Sequence, residues 1–179
     1  MRPRDVSDSA WVPAFAGMLG KLEAHMTGPA EGDKAPDFDL PTDTGRVSLA
    51  DLRGKTVVLF FYPKDDTPGC TTESIGFSQA KADFEAAGAV VIGVSKDTAA
   101  KHGKFRAKHG LTVELGSDAE SDVIERYGSW VQKSLYGREY MGIDRSTFLI
   151  DKAGVVRKIW RKVKVKGHVE QVLEAARAL

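Results

Sequence analysis

The sequence predicts an α/β protein in which a mixed central β-sheet is flanked by helices. Two short apolar runs, 57–62 and 89–94, are rich in β-branched and aromatic residues, which indicates strands buried on both faces. A segment with apolar residues at helical spacing separates them. Strand, helix and strand in that order imply a parallel pair joined by a crossover. A hairpin and an amphipathic helix near the C-terminus complete the pattern.

An extended segment precedes the first buried strand. Residues 32–41 contain Pro36 and end at Pro41, which favours a short edge strand because proline lacks the N–H that a central strand needs. A turn at Thr44-Gly45 and a second short strand at 47–49 follow. These elements lead the chain into the buried strand 57–62.

Helix-start signals follow that strand. Thr67 suits the N-cap, where its hydroxyl can accept from free backbone N–H groups, and Pro68 suits the first helical position. Apolar residues at Phe77, Ala80, Phe84 and Ala87 predict one helix that ends before Gly88. Cys70 then lies in the first turn, where unpaired N–H groups and the positive end of the helix dipole favour the thiolate.

Two further helices are predicted in the middle of the chain. Ser95 or Asp97 can cap a helix that ends at Gly110. The run 117–120 (Ser-Asp-Ala-Glu) has the capping-box pattern, which predicts a short helix through Val123, Ile124 and Tyr127 to Gly128. Residues 129–142, rich in Lys, Tyr and Gly, are predicted to be a connection.

The C-terminal region predicts a β-hairpin and a helix. The apolar runs 147–150 and 155–160 flank a loop that contains Gly154, and the residues Val169, Val172, Leu173, Ala176 and Leu179 fall on one helical face. The complete order is β-α-β-α-(α)-β-β-α, the order of a thioredoxin-like fold. Because one fold carries many functions, function has to be argued from the site.

Composition excludes several classes of protein. The chain has 179 residues, 42% hydrophobic and 28% charged, which is typical of a soluble globular protein. A formal charge of +1 gives no reason to expect a nucleic acid as partner, and no stretch approaches the ~20 apolar residues of a membrane span. One cysteine excludes an intramolecular disulfide and favours a reducing, cytoplasmic compartment.

The first residues differ from the rest. Pro13 and Gly17 interrupt a mildly apolar stretch that lacks the continuous apolar core of a signal peptide. We expect residues 1–30 to be a loosely ordered N-terminal extension and residues 31–179 to form the domain.

Cys70 has two interpretations. A free cysteine is usually a small buried hydrophobe. A cysteine at a strand-to-helix junction, however, has the helix N-terminus and the access that a reactive thiolate needs, and Gly69 leaves room to approach the sulfur. No metal-ligand cluster or phosphate-binding loop is apparent. His102 and His109, on a lysine-rich helix, are expected to lie on a solvated face rather than to bind a metal.

A resemblance to a known family rests on two motifs. The pattern Pro63-x-x-x-Thr67-x-x-Cys70 matches the active-site pattern of the peroxiredoxins. The run 62–73, together with Arg-Ser-Thr-Phe-Leu-Ile-Asp at 145–151, resembles the bacterioferritin comigratory protein (PrxQ) group. The resemblance covers about residues 31–179 and implies a thioredoxin-dependent thiol peroxidase. Such an enzyme reduces hydrogen peroxide and organic hydroperoxides to water and alcohols without a metal or organic cofactor.

The resemblance also implies roles for three site residues. Cys70 would attack the peroxide, and Arg145 would be the thiolate-activating arginine, whose forked donors can hold thiolate and peroxide oxygen together. Thr67, one helical turn before Cys70, can place its hydroxyl beside the sulfur.

Three neighbours have supporting roles in this hypothesis. Pro63 would shape the loop and shield the site from water, and the backbone N–H of Gly69 is a further donor. Glu73 could fix Arg145 by an ion pair or could be a solvated residue of the first helical turn.

The chain departs from the group at one position. Many members carry a resolving cysteine five residues after the first, where this chain has Ile75. The resemblance therefore implies a one-cysteine cycle, in which thioredoxin, glutaredoxin or a small thiol reduces a Cys70 sulfenic acid. It also suggests a monomer. A redox sensor that signals Cys70 oxidation to a partner, and a binding module with an inert Cys70, remain alternatives that a turnover assay with excess dithiothreitol separates.

Overall fold

The computed structural model describes residues 28–179. Within that range the strands are β1 (Asp39–Pro41), β2 (Arg46–Ser48), β3 (Thr56–Phe61), β4 (Ala89–Ser95), β5 (Glu114–Ser117), β6 (Trp130–Leu135), β7 (Arg138–Ile143), β8 (Ser146–Ile150) and β9 (Val156–Trp160). The helices are α1 (Pro68–Gln79), α2 (Lys81–Ala86), α3 (Ala99–His109), α4 (Val123–Arg126) and α5 (His168–Arg177), with a 3-10 turn at Ala50–Leu52. Residues 1–27, and with them most of the predicted extension, lie outside the description.

A five-stranded mixed sheet, in the order β5-β4-β3-β8-β9, forms the centre. Strands β3, β4 and β5 are parallel, while β8 is antiparallel to both β3 and β9. The predicted fold class is therefore confirmed. Strands β1 and β2 pair in a small separate sheet, as do β6 and β7. None of the helices within residues 28–179 is long and apolar enough to cross a membrane.

Strand β3 supplies both hydrophobic cores. All six of its residues are buried, as the apolar run predicts. Because side chains alternate along a strand, Val57, Leu59 and Phe61 pack in one core, and Val58 and Phe60 in the other. The second core continues through Tyr62 to Cys70, so the cysteine, only 1% exposed, is a buried member of this apolar layer.

The predicted single helix from Pro68 to Ala87 is wrong in one detail. Helix α1 ends at Gln79 and α2 begins at Lys81, because Ala80 leaves the helical conformation with φ −88° and ψ 2°. The Ala80 carbonyl still accepts from Phe84 N at 3.0 Å. The break is therefore one residue wide, and the apolar periodicity continues across it.

The predicted cap of α3 is also wrong. Thr98 occupies the N-cap, and its hydroxyl oxygen accepts from Lys101 N at 3.2 Å. Asp97 accepts instead from Asp65 N at 2.8 Å, and from the Ser95 hydroxyl. The predicted stop at Gly110 is confirmed, since this residue is left-handed with φ 63°.

The short helix predicted through Val123 and Ile124 is confirmed as α4 (Val123–Arg126), but the capping box predicted at 117–120 does not open it, because Asp118 acts over a longer distance. Its carboxylate accepts from Val123 N at 3.2 Å and Ile124 N at 2.8 Å, so α4 begins at Val123. The residues just before Asp118 form strand β5, which the sequence analysis does not predict.

The region 129–142, predicted as a connection, forms the β6–β7 hairpin. Its two-residue turn is Tyr136-Gly137, with φ 52° and 77°. Positive φ at both positions fits the right-handed twist of a hairpin, but the usual sequence signal is Asn-Gly or Asp-Gly. Because Tyr136 stands at the first position, the sequence lacks the usual signal for this turn.

His102 is not solvated, contrary to expectation. The ring is fully buried, with Nδ1 2.6 Å from Asp65 Oδ2 and Nε2 3.1 Å from the Gly116 carbonyl oxygen. The Tyr62 hydroxyl donates to Asp65 Oδ1 at 2.5 Å. These contacts anchor the loop between β3 and α1 to helix α3.

We predict that His102→Ala lowers the free energy of unfolding by roughly 1–3 kcal/mol or more, because removal of the imidazole leaves the buried Asp65 Oδ2 without its hydrogen-bond partner. Urea denaturation of both proteins measures the loss. His109→Ala is the control, because His109 contacts the exposed Asp66. Equal losses for the two variants would contradict the assignment of His102 as an anchor.

Candidate active site

The junction between β3 and α1 places Cys70 in the first turn of a helix. The loop turns at Asp66, which has φ 61°, and Thr67 occupies the N-cap position with an extended backbone. Pro68 is the first helical residue, and Thr71 N donates to the Thr67 carbonyl at 2.8 Å. The backbone N–H groups of Gly69 and Cys70 come before this first intrahelical bond and have no partner within the helix.

Thr67 does not cap the helix with its side chain, so that prediction is wrong. Its hydroxyl donates to the Lys64 carbonyl at 2.8 Å, because the loop folds back within reach of the side chain. The hydrogen bond fixes the hydroxyl one turn before Cys70 and leaves the oxygen lone pairs as acceptors. Pro63, at the start of this loop, is exposed.

Arg145 reaches Cys70 because of the register between β3 and β8. The two strands are antiparallel, and Phe61 at the end of β3 pairs with Ser146 at the start of β8. The residue before Ser146 therefore lies beside the residues that follow β3. Arg145 Nη2 is 3.2 Å from Cys70 Sγ, although the two residues are 75 positions apart.

Gly69 provides the space for the guanidinium. A Cβ at this position would lie 3.2 Å from Arg145 Nη2 and 3.8 Å from Cζ. The first distance is tighter than ordinary van der Waals contact. The space that the sequence analysis assigns to an approaching group is therefore filled by Arg145.

Glu73 fixes the other side of the guanidinium. Arg145 Nη1 donates to Glu73 Oε1 at 3.2 Å, and the Glu73 side chain is fully buried. The structure thus forms the ion pair and not the solvated arrangement. Glu73 Oε2 has no hydrogen-bond partner within residues 28–179.

Burial and charge oppose one another in this pair. Burial raises the pKa of Glu73 to about 7, and the Arg145 charge offsets only part of that effect. For Arg145, burial acts to lower the pKa, but the charges of Glu73 and Cys70 outweigh it and raise the pKa above its usual value. The guanidinium therefore stays charged beside the sulfur.

Sequence reasoning missed His168 and Thr147, which lie behind the site. His168 Nε2 is 2.7 Å from Thr147 Oγ1, and the ring packs edge-on against Phe77. Burial and the Arg145 charge lower the pKa of His168 to about 4, so the ring is neutral at pH 7. Its position at the start of α5 was its only sequence signal. Within residues 28–179, no group of His, Cys, Asp and Glu is arranged to hold a metal.

Because folding raises the pKa of Glu73, we predict that this residue makes the free energy of unfolding depend on pH. Its folded value of about 7 lies above the usual 4.5, so the folded protein holds a proton that the unfolded chain releases. Stability from this group is fully present below pH 4.5 and is lost as pH rises toward 7. His168 has the opposite effect between pH 4 and 6.5, so the wild-type curve alone is ambiguous.

The Glu73→Gln variant isolates the contribution of that carboxyl. We expect the free energy of unfolding of the wild type, relative to Glu73→Gln, to fall between pH 4.5 and 7 and then to level off. Urea denaturation at pH steps across this range measures the difference. A difference that is constant with pH would show that folding does not raise the pKa of Glu73.

The chain is similar to proteins of a known family. Residues 31–159 match the AhpC/TSA family model. The chain is 52% identical over 143 residues to a putative peroxiredoxin bcp of Coxiella burnetii, covering 79% of this chain and 95% of the relative. It is 53% identical over 144 residues to peroxiredoxin Bcp of Bacillus subtilis, covering 80% of this chain and 92% of that protein.

A solved structure is similar as well. The bacterioferritin comigratory protein of Xanthomonas campestris, studied for its alkyl peroxide reduction activity, superposes with a TM-score of 0.75 at 40% identity. The superposition covers 79% of this chain and 90% of that one.

Proposed function

The chain belongs to the AhpC/TSA family as a peroxiredoxin of the Bcp type, and we propose that Cys70, Arg145 and Thr67 carry out its thiol peroxidase reaction. The substrates are hydrogen peroxide and organic hydroperoxides. The single observation that supports this assignment is the 3.2 Å contact of Arg145 Nη2 with Cys70 Sγ, which places a fixed positive charge beside the nucleophilic sulfur.

In the proposed first step, the Cys70 thiolate attacks one oxygen of the peroxide, R–O–O–H. A sulfur–oxygen bond forms, the O–O bond breaks, and the departing RO⁻ takes a proton from solvent to become an alcohol, or water when R is hydrogen. Cys70 becomes a sulfenic acid, Cys–S–OH. The electron pair moves from sulfur to the departing oxygen, so negative charge leaves the sulfur and develops on that oxygen.

Arg145 is suited to follow this charge. Its guanidinium carries donors in a fixed fork, and one nitrogen already contacts the sulfur. In the proposal, the same nitrogen donates to the peroxide oxygen as the bond breaks. A preorganised donor of this kind stabilises the transition state without reorganisation.

Thr67 and the helix N-terminus complete the proposed substrate site. The Thr67 hydroxyl donates its own proton to the Lys64 carbonyl, so its oxygen is free to accept the peroxide hydrogen. In the proposal, this contact orients the terminal peroxide oxygen toward the sulfur. The N–H of Gly69 is a further donor. Glu73 positions Arg145, Gly69 makes room for it, and Pro63 shapes the loop that covers the site.

The second half of the cycle needs an external thiol, because Cys70 is the only cysteine of the chain. We infer that thioredoxin or another thiol reductant reduces the sulfenic acid. A one-cysteine cycle of this kind fits a cytoplasmic enzyme, since thiols are kept reduced there. We further propose that the protein acts as a monomer and without a metal or organic cofactor.

The experiment that tests the function is steady-state consumption of peroxide with excess dithiothreitol. The wild type should turn over, and Cys70→Ser should be inactive. We expect Arg145→Lys to lower the rate roughly 10²–10³-fold, because it keeps the charge but loses the fork. Arg157→Lys, on the exposed part of β9, is the matched control and should be unaffected. An unchanged rate in Arg145→Lys would remove Arg145 from the reaction.

The product of the first step provides a separate prediction. Without reductant, one equivalent of peroxide should add a single oxygen to the intact mass, and dimedone should trap that form. Excess peroxide should add a second and third oxygen, because no resolving cysteine protects the sulfenic acid. Intact-mass spectrometry measures both. A disulfide-linked dimer as the only product would contradict the one-cysteine cycle in monomers.

A further inference from the structure

The β6–β7 hairpin exposes an unusual amount of apolar surface. Within residues 28–179, four of the five exposed large hydrophobic side chains belong to it: Leu135, Tyr136, Tyr140 and Met141, with 56%, 98%, 47% and 49% of their surface accessible. Leu135 and Tyr140 lie on one face of the hairpin and Tyr136 lies at its turn, whereas Met141 pairs with Gln132 on the other face. We call Leu135, Tyr136 and Tyr140 the hairpin patch. Clustered exposed apolar residues mark interaction sites more often than isolated ones do.

The hairpin is joined directly to the active site. Strand β7 ends at Ile143, and Arg145 follows after one intervening residue. At the base, Asp144 N donates to the Ser129 carbonyl at 2.7 Å. The five residue steps from Trp130 to Leu135 span roughly 17 Å at ~3.3 Å per residue, so the tip lies that far from the base.

Positive charge flanks the patch. Lys133 pairs with Tyr140 across the hairpin, and Arg138 pairs with Leu135, so these cations share a face with two apolar side chains. The carboxylate of the hairpin, Glu139, pairs with Ser134 on the other face and accepts from Gln132. The face that carries Leu135 and Tyr140 is therefore apolar and basic.

A second basic segment is hydrogen-bonded to the backbone of Arg145. Lys162, Lys164 and Lys166 are exposed and alternate with half-buried valines, and we call them the lysine loop. Val163 N donates to the Arg145 carbonyl at 2.9 Å, which ties this loop to the active-site arginine. Asp144 Oδ2 accepts from Lys162 N at 3.4 Å, but in the described part of the chain no carboxylate forms a salt bridge with the side chains of the three lysines.

We propose that the hairpin patch and the lysine loop together dock a dithiol protein that reduces oxidised Cys70, with an apolar contact face bordered by carboxylates. This inference rests on the proposed peroxidase function and names its reductant. A small thiol cannot touch Cys70 and the tip of a hairpin roughly 17 Å long at once, whereas a folded domain can. The two basic segments, the hairpin that precedes Arg145 in the chain and the loop hydrogen-bonded to its backbone, favour an acidic partner.

The size of the patch favours a transient partner over a second copy of this chain. A hairpin face of two six-residue strands, roughly 17 Å long and ~5 Å apart, buries at most a few hundred Å² with its side chains. A stable interface buries about 800 Å² per partner, whereas redox encounters fall at the low end of interface sizes. A second copy would also bring the same basic residues together.

The chemistry of the docked complex balances. One partner thiol attacks the sulfenic sulfur, Cys70–S–OH + HS–R → Cys70–S–S–R + H₂O. The second thiol of the partner then attacks the partner's own sulfur in the mixed disulfide, which frees Cys70 as a thiol and leaves a disulfide in the partner. Two electrons pass from the dithiol to Cys70.

The test compares two reductants for each variant: thioredoxin, recycled by its reductase and NADPH, and dithiothreitol. We expect Leu135→Ser with Tyr136→Ser to lower kcat/KM for thioredoxin about tenfold or more, which corresponds to ~1.4 kcal/mol at a docking contact. The dithiothreitol rate should not change. Leu179→Ser removes an exposed apolar side chain outside the hairpin and should leave both rates intact.

A charge test addresses the lysine loop. Lys162→Glu with Lys164→Glu should lower the thioredoxin rate most at low ionic strength, because salt screens the interaction. Lys101→Glu with Lys104→Glu on α3 is the matched control. If thioredoxin rates survive both sets of changes, or thioredoxin gives no turnover while dithiothreitol does, the docking proposal is wrong. Dimers of the wild type that Tyr136→Ser dissociates would also overturn it. No turnover with either reductant would instead refute the peroxidase function.

Discussion

The contact between the Arg145 guanidinium and the Cys70 sulfur depends on several independent features of the fold. The antiparallel register of β3 and β8 brings together two stretches that are 75 positions apart. The absence of a side chain at Gly69 leaves room for the guanidinium, and buried Glu73 holds its far side. Helix α1 presents the sulfur at its first turn. Loss of any one of these features would move the cation or the sulfur.

The arrangement opposes charge to burial. Glu73 is fully buried, and one of its oxygens has no partner within residues 28–179. Its pKa of about 7 reflects that burial. Burial therefore disfavours the ionised carboxylate that pairs with Arg145. The Tyr62-Asp65-His102 contacts act nearby as an anchor, since they attach the loop before Cys70 to helix α3. The reactive helix turn is thus fixed from the loop side and from the arginine side.

The features that the sequence predicts are those encoded by local patterns. The buried strand β3, the stop at Gly110 and the helix start before Cys70 each follow from residues close together in the chain. The β6–β7 hairpin is not predicted because Tyr136 adopts a positive φ that is normally found at Asn, Asp or Gly. The burial of His102 is not predicted because its partners, Asp65 and Gly116, are distant in sequence. The placement of Glu73 against Arg145 likewise depends on tertiary structure, so the sequence left it open.

The central claim is that peroxide reactivity depends on the guanidinium–sulfur contact that Gly69 permits. A double-mutant cycle tests it, with the second-order rate of Cys70 oxidation by hydrogen peroxide measured by stopped flow for the wild type, Gly69→Ala, Arg145→Ala and the double variant. A Cβ 3.2 Å from Arg145 Nη2 should displace the guanidinium, so Gly69→Ala should slow oxidation about tenfold or more when Arg145 is present. It should have no further effect when Arg145 is absent. An equal penalty in both backgrounds would show that Gly69 acts independently of Arg145, and would contradict the account.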